Sequence, residues 1–297
     1  MCVLMVAALT MVVVLVGTTV AADSAPNYNC SNMTCGDKEI PYPFAIDLNN
    51  SSSKCFMAGR YILLICKESK IYTVDNLPVL NINISKAEMD VLFDVSEYCS
   101  VDKYTKPTLT SQSYVISSKE NKFVTVGYDS FGYFNSYRHE NKYSTGCLTR
   151  SSGDQRSIDN GTCSGLGCCQ VDIPPKMWNI SIEASNFNQS SEFCSYSFLV
   201  RNDNYTFSSA HLKNGLPFKQ LPVVLDWTIL DDNCSAATSK NYGDFNYYGC
   251  KKNSYCDDKD TDIGYRCHCN PGFEGNPYEP NGCTGQFFNL NFCKKSF

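Results

Sequence analysis

Eighteen cysteines in 297 residues constrain this chain more than any other feature. A cytosolic protein keeps so many thiols reduced only on metal clusters, so the count predicts an oxidising compartment and a disulfide-stapled fold. The first 22 residues agree. They carry no charged side chain, run apolar from Val3 to Val16, and end in small residues, Val20 and Ala22, that flank a cleavage point before Asp23. Residues 1–22 therefore read as a secretory signal peptide; a retained membrane anchor is the other reading, disfavoured because the apolar run falls short of about 20 residues. Leu221 to Leu230 is broken by Pro222 and Asp226, so no transmembrane helix is expected after cleavage. Ten Asn-X-Ser/Thr acceptors, at Asn29, Asn32, Asn49, Asn50, Asn83, Asn160, Asn179, Asn188, Asn204 and Asn233, predict a heavily glycosylated extracellular surface.

The charge balance excludes another class. Twenty-five Lys and Arg against 30 Asp and Glu give a net charge of -5, without the clustered basic footprint that nucleic acid requires. With 43% hydrophobic residues the chain can bury a core, and its patterning alternates instead of repeating at the helical period. Leu80-Asn81-Ile82-Asn83-Ile84, Trp178 to Glu183 and Cys194 to Phe198 read as half-buried strands. Val223, Leu225, Trp227 and Ile229 alternate with Val224, Asp226 and Thr228 in the same way. Tyr61 to Cys66 and Phe123 to Tyr128 add two more strands, and Lys86 to Tyr98 is the one stretch that suits a short helix. The fold class is mostly β, with boundaries at the polar stretch from Ser151 to Gly161 and at Asp231-Asp232-Asn233.

Removing Cys2 with the signal leaves 17 cysteines, an odd number. Cys234, Cys250, Cys256, Cys267, Cys269 and Cys283 are separated by 15, 5, 10, 1 and 13 residues, a spacing that resembles an EGF-like module. Tyr265-Arg266-Cys267-His268-Cys269 and Gly272-Phe273-Glu274-Gly275 strengthen the resemblance. Six cysteines allow 15 connectivities in principle; the resemblance implies Cys234 with Cys256, Cys250 with Cys267 and Cys269 with Cys283. Cys30, Cys35, Cys55, Cys66, Cys99, Cys147, Cys163, Cys168, Cys169 and Cys194 then remain as ten, enough for five bridges. Cys168 and Cys169 are expected to reach different partners, since a bridge between neighbours is strained. Cys293 is left as an unpaired thiol.

Three ordered motifs carry a wider resemblance. Cys35-Gly36-Asp37-Lys38-Glu39-Ile40-Pro41-Tyr42-Pro43-Phe44, Gly165-Leu166-Gly167-Cys168-Cys169-Gln170, and Trp227 with the EGF-like cysteines and Gly275-Asn276-Pro277-Tyr278 resemble the extracellular region of plant wall-associated receptor kinases. The resemblance covers residues 28–283. It implies a galacturonan-binding-like cysteine-rich domain at 28–150, a β-rich continuation at 151–230, an EGF-like module at 231–283 and a divergent tail at 284–297. Ala45 departs from the glycine usual there. The tail departs further, since a second EGF-like repeat, a membrane helix and a kinase normally follow; the expectation is a soluble or truncated ectodomain without a kinase.

Chemistry narrows the function. Cys267-His268-Cys269 has zinc-ligand types, but the EGF-like pattern already uses both thiols, and no metal or cofactor is expected. Asp231-Asp232-Asn233 is an imperfect calcium pattern. His139, His211 and His268 lie in no nucleophile context, so no enzyme is expected. A polyuronate needs cations for its carboxylates and rings for its apolar sugar faces. Two regions offer these. The earlier holds Lys38, Lys54, Arg60, Lys67 and Lys70; the later, residues 100–150, holds Lys103, Lys106, Lys119, Lys122, Arg138, Lys142 and Arg150 among Tyr128, Phe131, Tyr133, Phe134, Tyr137 and Tyr143. For any one of these rings, burial in a β core is the competing assignment. The reading is a secreted cell-wall protein that binds pectin non-catalytically; its rivals are an ectodomain that engages a receptor or secreted-protein partner through the EGF-like module and tail, and a secreted hydrolase.

Overall fold

The computed structural model describes residues 33–46, 62–110, 114–138, 141–150, 158–187, 193–229, 232–239, 248–259, 261 and 264–285. Residues 1–22, Cys30, Lys54, Cys55, Arg60, residues 286–297 with Cys293, and the acceptors Asn29, Asn32, Asn49, Asn50 and Asn188 lie outside these residues.

Strands β1 (Thr34–Cys35) and β2 (Lys38–Glu39) form a hairpin, and β3 (Ala45–Ile46), β4 (Leu63–Lys67) and β5 (Lys70–Thr73) a three-stranded sheet. Next come β6 (Val79–Asn83), β7 (Glu88–Asp94), β8 (Ser96–Ser100), β9 (Lys103–Tyr104), β10 (Thr108–Leu109), β11 (Tyr114–Ile116) and β12 (Asn121–Val126). The long hairpin β13 (Ser130–Arg138) and β14 (Asn141–Thr149) is followed by β15 (Cys168–Asp172), β16 (Trp178–Asn186) and β17 (Ser195–Arg201). A one-turn helix α1 (His211–Asn214) precedes β18 (Gln220–Trp227), and α2 (Cys234–Ser239) opens the region whose cysteine spacing resembles an EGF-like module. That region is built on β19 (Ser254–Asp257), β20 (Arg266–Cys269), β21 (Phe273–Gly275) and β22 (Cys283–Gly285). The main body consists of three sheets with strand orders β10-β16-β13-β14, β11-β18-β7-β6 and β15-β12-β17-β8-β9. Each contains strands from both sides of residues 151–161.

Two expectations are corrected. The stretch from Lys86 to Tyr98 is not a helix but β7 and β8. Met89, Val91 and Phe93 are buried while Glu88, Asp90 and Asp94 turn outward, a period of two that β18 completes by pairing along all of β7. Leu80 does not share the core face of β6. A register shift between Val79 and Asn81 leaves it 44% exposed, while Ile82 and Ile84 still pack inward.

Cys194 to Phe198 is also more than a half-buried strand. Ser195, Tyr196, Ser197, Phe198, Leu199 and Val200 are all buried, because β17 is covered on both faces. Its hydroxyls face β13: Thr125 and Ser197 share a hydrogen bond of 3.0 Å, and a Cβ on Gly132 would strike both side chains. Its rings face a second core with Phe207, Leu212 and Val95. Buried Asn121 ties the sheets together, donating to Ser117 O (2.7 Å) and Val224 O (2.8 Å) and accepting from Val224 N at 2.8 Å.

Seven disulfides occur among the described residues. In the main body Cys35 joins Cys66, Cys99 joins Cys194, Cys147 joins Cys169 and Cys163 joins Cys168, so the neighbours Cys168 and Cys169 take different partners. In the EGF-like region Cys234 joins Cys256, Cys250 joins Cys267 and Cys269 joins Cys283. This region does not hang free. Trp227 is fully buried, with Phe44 at 5.0 Å on one side and Tyr278 at 5.3 Å on the other. Asn276 Nδ2 donates to Tyr42 O at 2.6 Å, Ile229 and Tyr265 exchange backbone bonds, and Arg266 pairs with Asp226 at 3.6 Å.

Candidate functional site

The earlier cationic region lies on two hairpins that touch. In the β4–β5 turn Glu68 and Ser69 have φ of 49° and 61°, the left-handed pair that a two-residue hairpin requires. Gly36, at φ 61° in the β1–β2 turn, comes so close to it that a Cβ there would lie 2.6 Å from Ser69 Cβ. Lys38 therefore projects from one tip, and Lys67 and Lys70 face each other at the second, on either side of its two-residue turn. All three are exposed. Lys67 Nζ donates to Asn76 Oδ1 at 3.0 Å and lies 5.7 Å from the Tyr72 ring centre. Asp37, Glu39 and Glu68 alternate with these cations in sequence.

Below the second hairpin is an open cleft of about 480 Å³, walled by Tyr72, Asp75 and Asn76 on one side and by Lys106, Pro107 and Thr108 on the other. Its walls are mainly polar. Asp75 Oδ1 accepts from Thr110 Oγ1 at 3.2 Å, and Gln220 Nε2 donates to Asp94 Oδ1 at 2.8 Å. Lys106 reaches from this cleft to Glu183 at 2.6 Å, which belongs to the outward face of the neighbouring sheet.

That face carries the rings of the later region, but only some of them. Along β13 Phe131, Tyr133, Asn135 and Tyr137 turn outward, whereas Gly132, Phe134 and Ser136 are buried. Tyr133 is 46% exposed and Phe134 only 1%, so Phe134 is core. Phe131 lies 5.4 Å from Tyr133 and 4.8 Å from Phe187, over which the Arg150 guanidinium sits at 4.6 Å. Tyr137 lies 6.2 Å from Trp178. Trp178 reaches it because the β13–β16 register shifts there, with Asn179 at φ 51°.

The remaining predicted residues are dispersed. Lys122 on β12 forms an ion pair with Asp172. Lys119 is in the turn before it, where its carbonyl accepts from Asn202 at 2.8 Å. Arg138 ends β13 on the side opposite Tyr137, and Tyr143 also faces that side, across from Ser136. Tyr128 packs on Phe193 at 5.0 Å. Asn135, Glu183, Trp178 and Phe187 were not singled out by sequence as site residues; the alternation of Trp178 to Glu183 gave the strand, but nothing local gave its partner. Among the acceptors, Asn160, Asn204 and Asn233 are exposed and Asn83 and Asn179 half-buried. Asn160 Oδ1 accepts from Ser209 N at 2.7 Å, and Asn233 Oδ1 caps α2 through Ala236 N at 2.8 Å.

Among the described residues one cluster has metal-ligand types, Glu97 with Cys99 and Cys194. Its two sulfurs are bonded to each other, and Glu97 is held by Lys219 at 3.1 Å, so the group is a staple and an ion pair.

Residues 30–92 match the family profile described as wall-associated receptor kinase galacturonan-binding. Those residues hold both hairpins and one wall of the cleft. The chain is a homologue of the wall-associated receptor kinases. It is similar to wall-associated receptor kinase 1 of Arabidopsis thaliana, with 33% identity over 91% of this chain and 36% of that protein. It is 31% identical to wall-associated receptor kinase 2 of the same plant over the same shares, and 33% identical to wall-associated receptor kinase 5 over 87% of this chain and 34% of that protein. The chain thus spans about a third of the length of these curated relatives. No solved structure matches it. No helix among the described residues is long and apolar enough to cross a membrane.

Proposed function

We propose that this wall-associated-kinase homologue binds pectic galacturonan at the cell wall, outside the cell, without cleaving it. The observation that carries the reading is a coincidence of position. The segment that matches a galacturonan-binding profile, residues 30–92, is the one that holds Lys38, Lys67 and Lys70 exposed on two touching hairpin tips. Lys67 and Lys70 are cross-strand neighbours, and like charges in that relation repel, so a carboxylate laid between them relieves the repulsion. Lys54 and Arg60 belong to the same matched segment. The cleft beside Tyr72 and Asn76 gives the chain end of an oligouronide a polar seat.

Exposed charged contacts are screened by salt, which defines the test. The purified glycoprotein is passed over immobilised polygalacturonate at low ionic strength and then in rising NaCl. Retention that falls with salt, and that weakens at least about fivefold in a Lys38→Gln/Lys67→Gln/Lys70→Gln variant of unchanged unfolding midpoint, supports the proposal. Absence of retention at low salt overturns it. Shortening of galacturonan oligomers on incubation with the protein overturns the non-catalytic part.

A further inference from the structure

The outward face of the β10-β16-β13-β14 sheet has a different chemistry from the hairpin tips. Outward positions on one strand are two residues apart and hence about 6.6 Å apart, so Phe131, Tyr133, Asn135 and Tyr137 form a row along β13. The row has rings at both ends and a hydrogen-bonding centre. Asn135 Nδ2 donates to Glu183 Oε1 at 2.9 Å, and its Oδ1 accepts from Ser144 Oγ at 2.5 Å. The residues that flank the middle of the row are mostly small: Ser144 and Gly146 pair with Asn135 and Tyr133 on one side, and Ser181 and Ser185 pair with Asn135 and Phe131 on the other, whereas Leu148 stands beside Phe131, Glu183 beside Tyr133, and Lys142 and Trp178 beside Tyr137. The Tyr133 ring therefore stands above Gly146 and the serines at the middle of the row, and Trp178 widens the ring surface at the Tyr137 end.

Charge on this face is largely consumed internally. The Glu183 carboxylate is paired with Lys106 at 2.6 Å, and Arg150 lies over the Phe187 ring. A partner that depended on ionic contacts would gain little here. A globular protein partner typically buries about 800 Å² per side around an apolar centre, whereas the centre of this face is an amide flanked by serines. Aromatic rings with in-plane hydrogen-bonding groups between them suit a linear polymer whose repeating units each present an apolar C–H face and polar edges.

We propose that this face is a second carbohydrate site: a stacking track for an extended, uncharged hexopyranose chain, with Tyr133 and Tyr137 as platforms and Asn135 as the hydroxyl-reading group. It is separate from the hairpin tips and does not depend on their binding galacturonan.

The test uses the full glycosylated chain and soluble uncharged oligosaccharides, namely β-glucan, mannan and galactan fragments. Titration calorimetry is run in about 0.5 M NaCl, where the screening length is near 4 Å and ionic binding is suppressed. At least one fragment series is expected to bind. Tyr133→Ala and Tyr137→Ala should each weaken binding about threefold to tenfold, the worth of one ring contact, while Tyr133→Phe restores it. Because Tyr133 is exposed, its variant should unfold at the wild-type midpoint, and its retention on polygalacturonate at low salt should be unchanged. Failure of the whole uncharged panel to bind overturns the inference, as does binding undiminished in the Tyr133→Ala/Tyr137→Ala double variant. Self-association that Tyr133→Ala abolishes would assign the face to a second copy of the chain and overturn it too. Loss of polygalacturonate retention in the wild type would sink the galacturonan reading alone.

Discussion

Replacing Trp227 tests whether the main body and the EGF-like region are one cooperative unit. The indole is fully buried at the end of β18, packed edge-to-face against Phe44 of the galacturonan-binding-like segment and tilted against Tyr278 of the EGF-like region. Its Nε1–H donates to Glu88 O at 3.3 Å. Trp227→Ala removes both ring contacts and leaves a cavity, a change that typically costs about 3–5 kcal/mol. In a chain of this size each kcal/mol lowers the unfolding midpoint by roughly 2–4 °C, so a fall of about 6–20 °C is expected. The three EGF-like disulfides do not involve Trp227. The stapled region should therefore survive while its docking fails, and calorimetry of the variant should show two transitions where the wild type shows one. Trp227→Phe keeps most of the buried area and loses the indole hydrogen bond, worth about 1 kcal/mol. A single transition in Trp227→Ala, displaced by less than about 2 °C, would refute the argument that this stack joins the two parts.

Three further outcomes follow from the same contacts. Glu88 and Asp226 are directly opposed across β7 and β18, and burial raises both carboxyls above their usual range, with Lys86 and Arg201 opposing the shift at Glu88 and Arg266, Ser117 and Lys119 at Asp226, while Glu120 adds to both. A raised folded-state pKa gives stability that is present at low pH and lost as pH rises through it; unfolding midpoints should therefore climb on acidification from neutrality toward the ordinary carboxylate range, and Asp226→Asn should flatten that slope. Asn121→Ala orphans Ser117 O and Val224 N, while Val224 O keeps its bond from Ser117 N at 3.1 Å; with about 1–3 kcal/mol for each group left unsatisfied, denaturant titration should show a loss of at least about 2 kcal/mol. Glu183→Gln frees Lys106 beside the cleft, and since that pair is 46% and 40% exposed its stability cost should stay below about 1 kcal/mol, while polygalacturonate retention at low salt rises in column elution.

Much of the architecture was legible because β-strands with one wet face write their burial into alternate residues. Met89, Val91 and Phe93 on β7 carry that signal even though the stretch also suits a helix, and the three EGF-like staples are those that the resemblance to an EGF-like module implies, which the spacing by itself left among 15 connectivities. Strands covered on both faces defeat the same rule. In β17 the serines and the rings are equally buried, because the serines face the close approach of Gly132 while the rings fill a second core. A register slip hides Leu80 from any local pattern. The candidate site was less legible still, since its members meet across strands distant in sequence. Lys122 is neutralised by Asp172 on β15, and Asn135 finds Glu183 on β16. Arg138 and Tyr137 are neighbours in sequence, yet they point to opposite sides of the sheet.

The motif that carried the family resemblance has a structural use that relocates the binding question. Tyr42 and Phe44, in the stretch Ile40-Pro41-Tyr42-Pro43-Phe44, hold Asn276 and Trp227, and Ile40 and Phe44 are buried. These residues fix the joint with the EGF-like region, and the buried Ile40 and Phe44 are closed to a polysaccharide. What the joint leaves exposed is the pair of hairpin tips, whose backbone is set by the touching turns at Gly36 and Ser69 but whose outward side chains make few structural contacts. The buried motif positions thus specify the platform, and the proposal assigns the ligand to the exposed Lys38, Lys67 and Lys70. Exchanging the two tips for those of a relative with different polyuronate affinity should transfer that affinity while the unfolding midpoint stays within a few degrees; affinity that stays with the platform would place recognition elsewhere on the chain.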